Sequence, residues 1–465
     1  MPDKAQVEIP VSYPAFFIVR RTYMEIKLSD HFNYRRLFKF VFPSIVMMIF
    51  TSIYGVVDGF FVSNFVGKTE FAAVNLIMPF PMLLSAVGFM VGTGGSALVS
   101  MKLGQGRKKE ANEIFSMLIK VLTVTGIVFS VLGIIFTKEI AILLGATDNL
   151  IEPCVTYGRI LLIALTPFML QNTFQSFLVT AEKPKFGLVI TVIAGLTNIV
   201  LDFVMIGVLK WGVVGAALAT GISQFVGAFI PMAYFLKEND SELRFVKSKI
   251  NCKSLLKTCT NGSSEMMTNV SMSLVNMLYN IQLMKYAGEN GVAAYGVIMY
   301  VNFIFVAVFI GYSIGTAPII GYNYGAANKK EMKNVLNKSI IFNIVSGILM
   351  CVAAVLLSGF LAKLFAGYDP GLFEMTKRGF SFYSLSFIVM GINIYASSFF
   401  TALNNGFISA LISFLRTLLF QVVAVFLLPL VFGIDGIWLS VVAAEVVSLT
   451  VSVAFFLTNK KKYGY

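Results

Sequence analysis

Two aspartates lie inside apolar stretches of the sequence, where a carboxyl group has little access to water. Asp58 follows Tyr54 by four residues in the first of these stretches. Asp202 follows Asn198 by four residues in the other, and residues at this spacing share one face of a helix. A charged carboxylate costs about 3 kcal/mol at the centre of a membrane helix, so acids that are retained there are candidate functional residues.

Polar side chains in neighbouring apolar stretches add further oxygen atoms to these carboxyl groups. Asn172 supplies an amide oxygen, and Thr220 supplies a hydroxyl oxygen. Carboxylate, amide and hydroxyl oxygens are suitable ligands for a hard cation such as Na⁺. Removal from water also favours the neutral form of a carboxylate, so the same acids are suited to binding a proton. The residue types are therefore compatible with either ion.

Three more polar residues are candidates for binding a substrate or for coupling. Glu265 is surrounded by serine, threonine and asparagine, which indicates a polar cavity; the alternative is a first-turn carboxylate that the helix dipole stabilises. Glu445 lies in the last apolar stretch, and Gln224 occupies the corresponding position in the first half of the chain. For Glu445 the alternative is a hydrogen bond within its own half. Tyr54 joins these candidates because it shares a helix face with Asp58.

The elements that hold these residues must be membrane-spanning helices. Of the 465 residues, 57% are hydrophobic and only 13% are charged, whereas a soluble domain carries about 25% charged residues. About 20 apolar residues cross the hydrocarbon core, and their backbone groups must be paired within a helix. Twelve such spans are predicted, at residues 41–65, 71–100, 114–136, 157–180, 187–209, 212–236, 262–286, 292–320, 336–360, 379–402, 408–431 and 434–457.

The basic residues indicate how these spans are oriented. The net charge is +13, and the basic residues lie in short segments between apolar runs rather than in patches typical of nucleic-acid binding. With both termini on one side, 26 Lys and Arg residues fall on that side and seven on the other. This asymmetry predicts cytoplasmic termini. We expect a multi-pass plasma-membrane protein with a cytoplasmic lead at 1–40 and a cytoplasmic tail at 458–465, and translation could begin at Met1 or Met24.

The second half of the sequence repeats the first at a constant offset of 221 residues. The tripeptide Lys-Lys-Glu at 108–110 recurs at 329–331, and matches of this kind extend from the second span to the last. An even number of spans in each half makes the repeats parallel, related by an axis along the membrane normal. We therefore predict an all-α membrane protein of two six-helix bundles related by a pseudo-twofold axis. They are an N-lobe at 41–236 and a C-lobe at 262–457, joined by a cytoplasmic linker at 237–261.

The acidic pair does not follow this repeat. The residues at the corresponding positions are Tyr279 for Asp58, Leu419 for Asn198 and Val423 for Asp202. Scaffold residues should recur with the scaffold, whereas coupling to an ion is needed only once. The pair therefore belongs to the first lobe alone, and rocking of one bundle against the other would give alternating access.

The joint spacing of these features resembles that of the MATE family of multidrug and toxic compound extrusion transporters. The features are Asp58 with Tyr54 and with Pro43 ahead of it, the Asn198–Asp202 pair, and the two six-span halves. The resemblance implies export of amphiphilic, often cationic compounds in exchange for Na⁺ or H⁺. It also implies a bend of the first helix at Pro43 and an N-lobe cation site. The residues of that site would be Asp58, Asn198, Asp202, Thr220 and Asn172, the first three being metal ligands if the ion is Na⁺.

By the same resemblance, Glu265 corresponds to an acid that one branch of the family carries in its seventh span. That branch also carries an acid in its tenth span, and this chain has none between Phe380 and Leu403. A second cation site, in the C-lobe, would therefore lack one of its acids.

Two other functions fit a polytopic membrane protein. A lipid-linked precursor flippase would hold pyrophosphate with several Arg or Lys residues in its spans, but Arg416 is the main basic residue there. An intramembrane enzyme would need a Ser/His pair, a metal triad or an acid dyad. His31 is the single histidine and lies outside the spans, which leaves only Asp58 and Asp202 as a dyad.

The partners and the energy source follow from the same residues. No Walker motif occurs, so ATP does not drive the protein directly. We expect no enzyme activity, no resident cofactor and no nucleic-acid partner. The expected partners are amphiphilic small molecules, membrane lipids and Na⁺ or H⁺ as the coupling ion, with the protein acting as a monomer.

Overall fold

The protein consists of helices joined by short turns. The computed structural model describes residues 26–367 and 369–465, and no β-strand is present among them. The helices are α1 (Tyr34–Phe65), α2 (Lys68–Ile77), α3 (Pro79–Gly104), α4 (Lys108–Leu143), α5 (Asp148–Ile163), α6 (Leu165–Thr180), α7 (Pro184–Asp202), α8 (Gly212–Leu236), α9 (Cys252–Gly325), α10 (Lys329–Ala366), α11 (Pro370–Tyr383), α12 (Phe387–Ala402), α13 (Gly406–Phe414), α14 (Phe420–Phe432) and α15 (Ile434–Tyr463). Two π-helical segments lie in this series, Phe203–Val208 after α7 and Leu415–Leu419 between α13 and α14.

These helices form twelve membrane spans in the described part of the chain. Ten helices or helix runs are long and apolar enough to cross a membrane, and the pair α5 and α6, bent by 51°, adds an eleventh. Helix α9 has 74 residues, which at 1.5 Å per residue is several times the hydrocarbon thickness. Gly288 has non-helical dihedrals (φ 62°, ψ −153°) and divides α9 into two spans. The predicted architecture of about twelve transmembrane helices is confirmed.

The first helix begins earlier than the hydropathy of the sequence indicated. Helix α1 starts at Tyr34, inside the predicted cytoplasmic lead at 1–40, of which residues 1–25 lie outside the described part of the chain. Asn33 caps the helix by accepting a hydrogen bond from the backbone N–H of Arg36. A helix extends as far as its backbone groups are paired, whereas hydropathy marks only its lipid-facing part.

Two other boundaries differ for the same reason. Helix α9 begins at Cys252, so the segment between the lobes is 237–251 rather than the predicted 237–261. Helix α15 continues to Tyr463, through most of the predicted tail at 458–465. In both cases a charged and polar turn continues an apolar helix beyond the hydrocarbon layer.

Each lobe has its own core. In the N-lobe, Phe115 packs against Phe177 with ring centroids 4.8 Å apart and against Phe235 at 4.9 Å. The segment between the lobes is tied to this core, because the Phe245 ring stacks on Phe115 at 5.1 Å. In the C-lobe, the largest buried side chains include Trp438.

The lobes touch on the side of the molecule that carries both ends of the described chain, here called the terminal side. Helices α3 and α9 approach so closely that a Cβ atom added to Gly94 or Gly262 would collide with backbone atoms of the other helix. Gly104 and Gly325, the last residues of α3 and α9, make the same kind of contact. Glycine is required here because only a residue without a side chain lets two backbones meet.

The lobes separate on the opposite side. A cavity of about 890 Å³, here called the cleft, opens there between the start of the second span and the turn at Gly288. Its wall includes Met78 and Met82 of the N-lobe and Met277 and Met284 of the C-lobe. The structure is therefore closed on the terminal side and open on the other.

Substitution of Gly262 by alanine tests the interlobe contact. The added methyl group must force α3 and α9 apart, and overpacking of this kind costs about 1–3 kcal/mol. We expect a lower unfolding temperature for the purified protein in detergent. Gly296→Ala in the same helix is the matched control, because nothing lies within 4 Å of the added Cβ atom. Equal unfolding temperatures for the two variants would show that the contact is not tight.

Candidate functional site

Four of the five residues predicted for the cation site come together in the N-lobe. Asp58 of α1 faces Asp202 and Asn198 of α7, and its carboxyl group lies beside both side chains. Thr220 of α8 donates a hydrogen bond from its hydroxyl to Asp58 Oδ1 at 3.3 Å. Helix α1 and the consecutive helices α7 and α8 thus bring two carboxyl groups, an amide and a hydroxyl into one cluster.

Asp202 and Asn198 are buried and unpaired in this cluster, whereas Asp58 and Thr220 are half-buried. Asp202 is fully buried, and no N–H or O–H group in the described chain donates to either of its carboxyl oxygens. Neither side-chain atom of Asn198 has a hydrogen-bond partner there, although Asn198 is also buried. Buried polar groups are nearly always paired, and two neighbouring carboxylates cannot both keep their charge without a counter-charge. The donor set therefore fits a hard cation or a proton.

The backbone of α7 changes at this cluster. Asn198 and Asp202 are one turn apart on the buried face of the helix, and the π-helical segment Phe203–Val208 begins directly after Asp202. Short π segments inside α-helices occur frequently at functional sites. Gly195, one turn before Asn198, lets the rings of Phe50 and Tyr54 pack against the backbone of α7. This contact holds α1 against α7 at the depth of the two acids.

Two tyrosines adjoin the carboxyl groups. Tyr54 lies half-buried on α1 one turn before Asp58, as its spacing predicted. Tyr157 of α5 is buried and lies near both Asp58 and Asp202, and the sequence analysis did not identify it. Tyr157 stands at the edge of an apolar run, and the sequence around it does not indicate that it lies near the acids. Only the packing of α5 brings it there.

Three predicted residues lie outside this cluster. Asn172 of α6 is buried with its amide nitrogen unpaired in the described chain, where no hydrogen bond joins it to Asp58. Gln224 lies half-buried on α8 one turn beyond Thr220. Pro43 lies within α1, which is continuously helical from Tyr34 to Phe65.

The acids of the C-lobe have different surroundings. Glu445 of α15 pairs with Arg416, whose Nε lies 2.8 Å from Glu445 Oε1. Glu265 of α9 is half-buried and lies near Arg416. Among the described residues, no group of three or more His, Cys, Asp or Glu side chains is placed to hold a metal ion.

A chain of two pseudo-symmetric six-helix lobes, with a cleft between them and a buried acidic pair in one lobe, has the architecture of a membrane transporter. The sequence profile of the MatE family matches residues 43–204 and 266–427, which lie in the two lobes and make up most of the chain. The chain therefore belongs to the MatE family, whose members are transporters and not enzymes.

Similarity to two multidrug export proteins supports the assignment to this family. The chain is 26% identical over 339 residues to the multidrug export protein MepA of Staphylococcus haemolyticus, which covers 72% of this chain and 74% of the relative. It is 24% identical over 361 residues to MepA of Staphylococcus aureus, which covers 77% of this chain and 79% of that protein.

Solved structures share the fold. The outward-facing conformation of a multidrug resistance MATE family transporter of the MOP superfamily matches with a TM-score of 0.87 at 20% identity, over 92% of this chain and 96% of that one. A MOP superfamily transporter from Pyrococcus furiosus matches with a TM-score of 0.86, also at 20% identity and over the same shares.

Replacement of Asp202 by asparagine tests ion binding at the acidic pair. A ligand that binds only the folded protein raises its unfolding temperature. We expect the purified wild-type protein to gain a few °C either when NaCl replaces choline chloride or when the pH falls from 8 to 6. The sign for the proton follows because a buried carboxyl group is stable in its neutral form, which low pH favours.

Asp202→Asn should lose this response, whereas Asp148→Asn, at an exposed aspartate, should retain it. An undiminished response in Asp202→Asn would place ion binding elsewhere in the protein.

Proposed function

We propose that this protein is a secondary multidrug exporter that expels amphiphilic, often cationic compounds in exchange for Na⁺ or H⁺ bound at Asp58 and Asp202. The observation that carries the proposal is the acidic pair of half-buried Asp58 and fully buried Asp202, which has no paired counter-charge within the described chain. The names of the MepA relatives support multidrug export.

Helix α1 is the element through which ion binding would act on the lobes. Near its end, Asp58 lies in the acidic cluster. Near its start, its backbone at Ile45 and its Val41 side chain pack against Gly311 and Gly315 in the second half of α9. One helix therefore touches both the ion site and the closed interlobe contact. Neutralisation of Asp58 would let α1 repack, and the contact on the terminal side would change with it.

The cleft has the properties of a site for amphiphilic compounds. Its volume of about 890 Å³ suits a drug-sized ligand, for which pockets range over roughly 300–1,000 Å³. Methionine side chains adapt to different shapes, and Asn276 and Asn280 add hydrogen-bonding groups. No lysine or arginine is among the described residues that line it, which argues against the lipid-linked precursor flippase.

The driving force is a gradient across the membrane. A potential of 100 mV supplies about 2.3 kcal/mol for each charge that crosses, which is enough to support a useful substrate gradient with one or two ions. The protein is a multi-pass membrane protein, and we propose that both termini lie in the cytoplasm. The cation cluster and the cleft are both formed within one chain, which supports a monomer as the working unit.

Ethidium efflux from proteoliposomes tests the proposed function. We expect efflux that depends on an imposed Na⁺ gradient or an imposed pH gradient, each varied separately. The double variant Asp58→Asn/Asp202→Asn should lose at least tenfold in rate. An amide carries no negative charge to attract a cation, and it cannot take up a proton near neutral pH. Asp148→Asn is the matched control and should transport normally. Efflux that ignores both gradients, or full activity in the double variant, would defeat the proposal.

The native cysteines test the orientation. Cys252 is exposed at the start of α9 on the terminal side, whereas Cys154 and Cys351 are buried. With the half-buried Cys259 changed to serine, a membrane-impermeant maleimide should label Cys252 only after cells are permeabilised. A cysteine at the exposed position Glu289, in a Cys252→Ser background, should label in intact cells. The reverse pattern would place the termini outside.

A further inference from the structure

The C-lobe contains a buried ion pair, whereas the N-lobe contains an acidic pair. Arg416 Nε donates to both carboxyl oxygens of Glu445, at 2.8 Å and 3.1 Å. Asn393 Nδ2 donates to Glu445 Oε2 at 2.7 Å and to the backbone carbonyl of Glu445 at 2.9 Å. Ser452 in turn donates to Asn393 Oδ1 at 2.9 Å. Both oxygens of Glu445 are thus paired, in contrast to those of Asp202.

Burial makes this pair different from a surface ion pair. The side chain of Glu445 is 2% exposed and that of Arg416 is 13% exposed. A charge in such a place is tolerated only if it is paired, and loss of one partner leaves the other uncompensated. The groups that also face the pair are Glu265 near Arg416, and the buried Tyr279 and Tyr383 near Glu445.

The internal repeat shows that neither charge belongs to the shared scaffold. At the offset of 221 residues, Arg416 corresponds to Gly195 and Glu445 corresponds to Gln224, both uncharged. In the other direction, Asp58 corresponds to Tyr279, which donates a hydrogen bond to Gln421 at 2.9 Å. Each lobe therefore has its own set of buried charges: two acids in the N-lobe cluster, and an acid with its own cation in the C-lobe.

The fifth span of each lobe contains both a charge and a π-helical segment, but at positions that the repeat does not relate. Arg416 lies in the π-helical segment Leu415–Leu419, and the N-lobe segment Phe203–Val208 directly follows Asp202. Arg416 corresponds to Gly195, seven residues before Asp202, and Glu445 corresponds to Gln224, four residues after Thr220. The C-lobe charges are therefore displaced by one to two helical turns towards the terminal side.

We propose that Arg416 is a tethered counter-ion that permanently occupies the position of an exchangeable cation at Glu445. Glu445 then takes up no ion during the cycle, and Asp58 and Asp202 are left as the carboxyl pair that exchanges one. This proposal extends the proposed function by assigning ion exchange to the N-lobe pair rather than to Glu445. It rests on the proposed function only in its transport test; its unfolding test is independent of transport.

The first test measures the unfolding temperature and is independent of transport. In Arg416→Gln the buried Glu445 must take up a proton or a cation from solution. Measured in choline chloride, so that only a proton is available, the gain in unfolding temperature between pH 8 and pH 6 should exceed that of the wild-type protein by about 2 °C. Arg416→Gln/Glu445→Gln should lose this excess, and Arg416→Lys, which keeps the charge, should behave like the wild-type protein. A wild-type pH response in Arg416→Gln would overturn the proposal.

The second test measures the number of ions exchanged per ethidium in proteoliposomes, from the imposed ion gradient at which net ethidium flux stops. Arg416→Gln should raise this ratio by one, and the double variant should restore the wild-type ratio. A ratio that falls by one in Glu445→Gln alone would show that Glu445 is itself a coupling site and would overturn the proposal. Wild-type efflux without gradient dependence would instead refute the proposed function, and the unfolding measurement would still decide the role of Arg416.

Discussion

Two neighbouring carboxyl groups, one fully buried and one half-buried, lie together in one lobe without a paired counter-charge in the described chain. Asp58 and Asp202 are held together by three helices, and in the described chain only Thr220 donates a hydrogen bond to the pair. In a low-dielectric interior, two charges of the same sign at this separation repel strongly. The cluster therefore needs a positive charge or a proton, and its stability depends on which of these it holds. Under the proposed function, this dependence is what would couple an ion gradient to the protein.

The two lobes use the same scaffold for different electrostatic tasks. Their helices follow one repeat, and each lobe has a π-helical segment in its fifth span. The charges do not repeat, because the C-lobe acid Glu445 has Arg416 as an internal partner whereas the N-lobe acids have each other. Because only the N-lobe has an acidic pair without a paired counter-charge in the described chain, the relative position of the two lobes can depend on ion binding at that one site.

The two sides of the interlobe interface are built from different residues, and this has a mechanical consequence. On the terminal side, glycines such as Gly94 and Gly262 let backbones touch, which makes a contact that is either made or broken. On the opposite side, flexible methionines such as Met78 and Met277 line an open cleft, and methionine side chains adapt to surfaces of different shape. A tight contact on one side and an adaptable surface on the other suit the proposed export of varied compounds.

The class of fold, the number of spans, the repeat and the two candidate acids could all be predicted from the sequence. Hydropathy and helical spacing are local properties, and a carboxyl group in an apolar helix is conspicuous without any knowledge of its neighbours. Helix ends were less predictable, since α1 and α9 continue through polar turns that hydropathy assigns to loops. Which side chains meet depends on how the helices pack. Tyr157 joins the acids, Asn172 makes no hydrogen bond to Asp58 in the described chain, and Glu445 pairs with Arg416, because these contacts join different helices and no periodic pattern in the sequence records that packing.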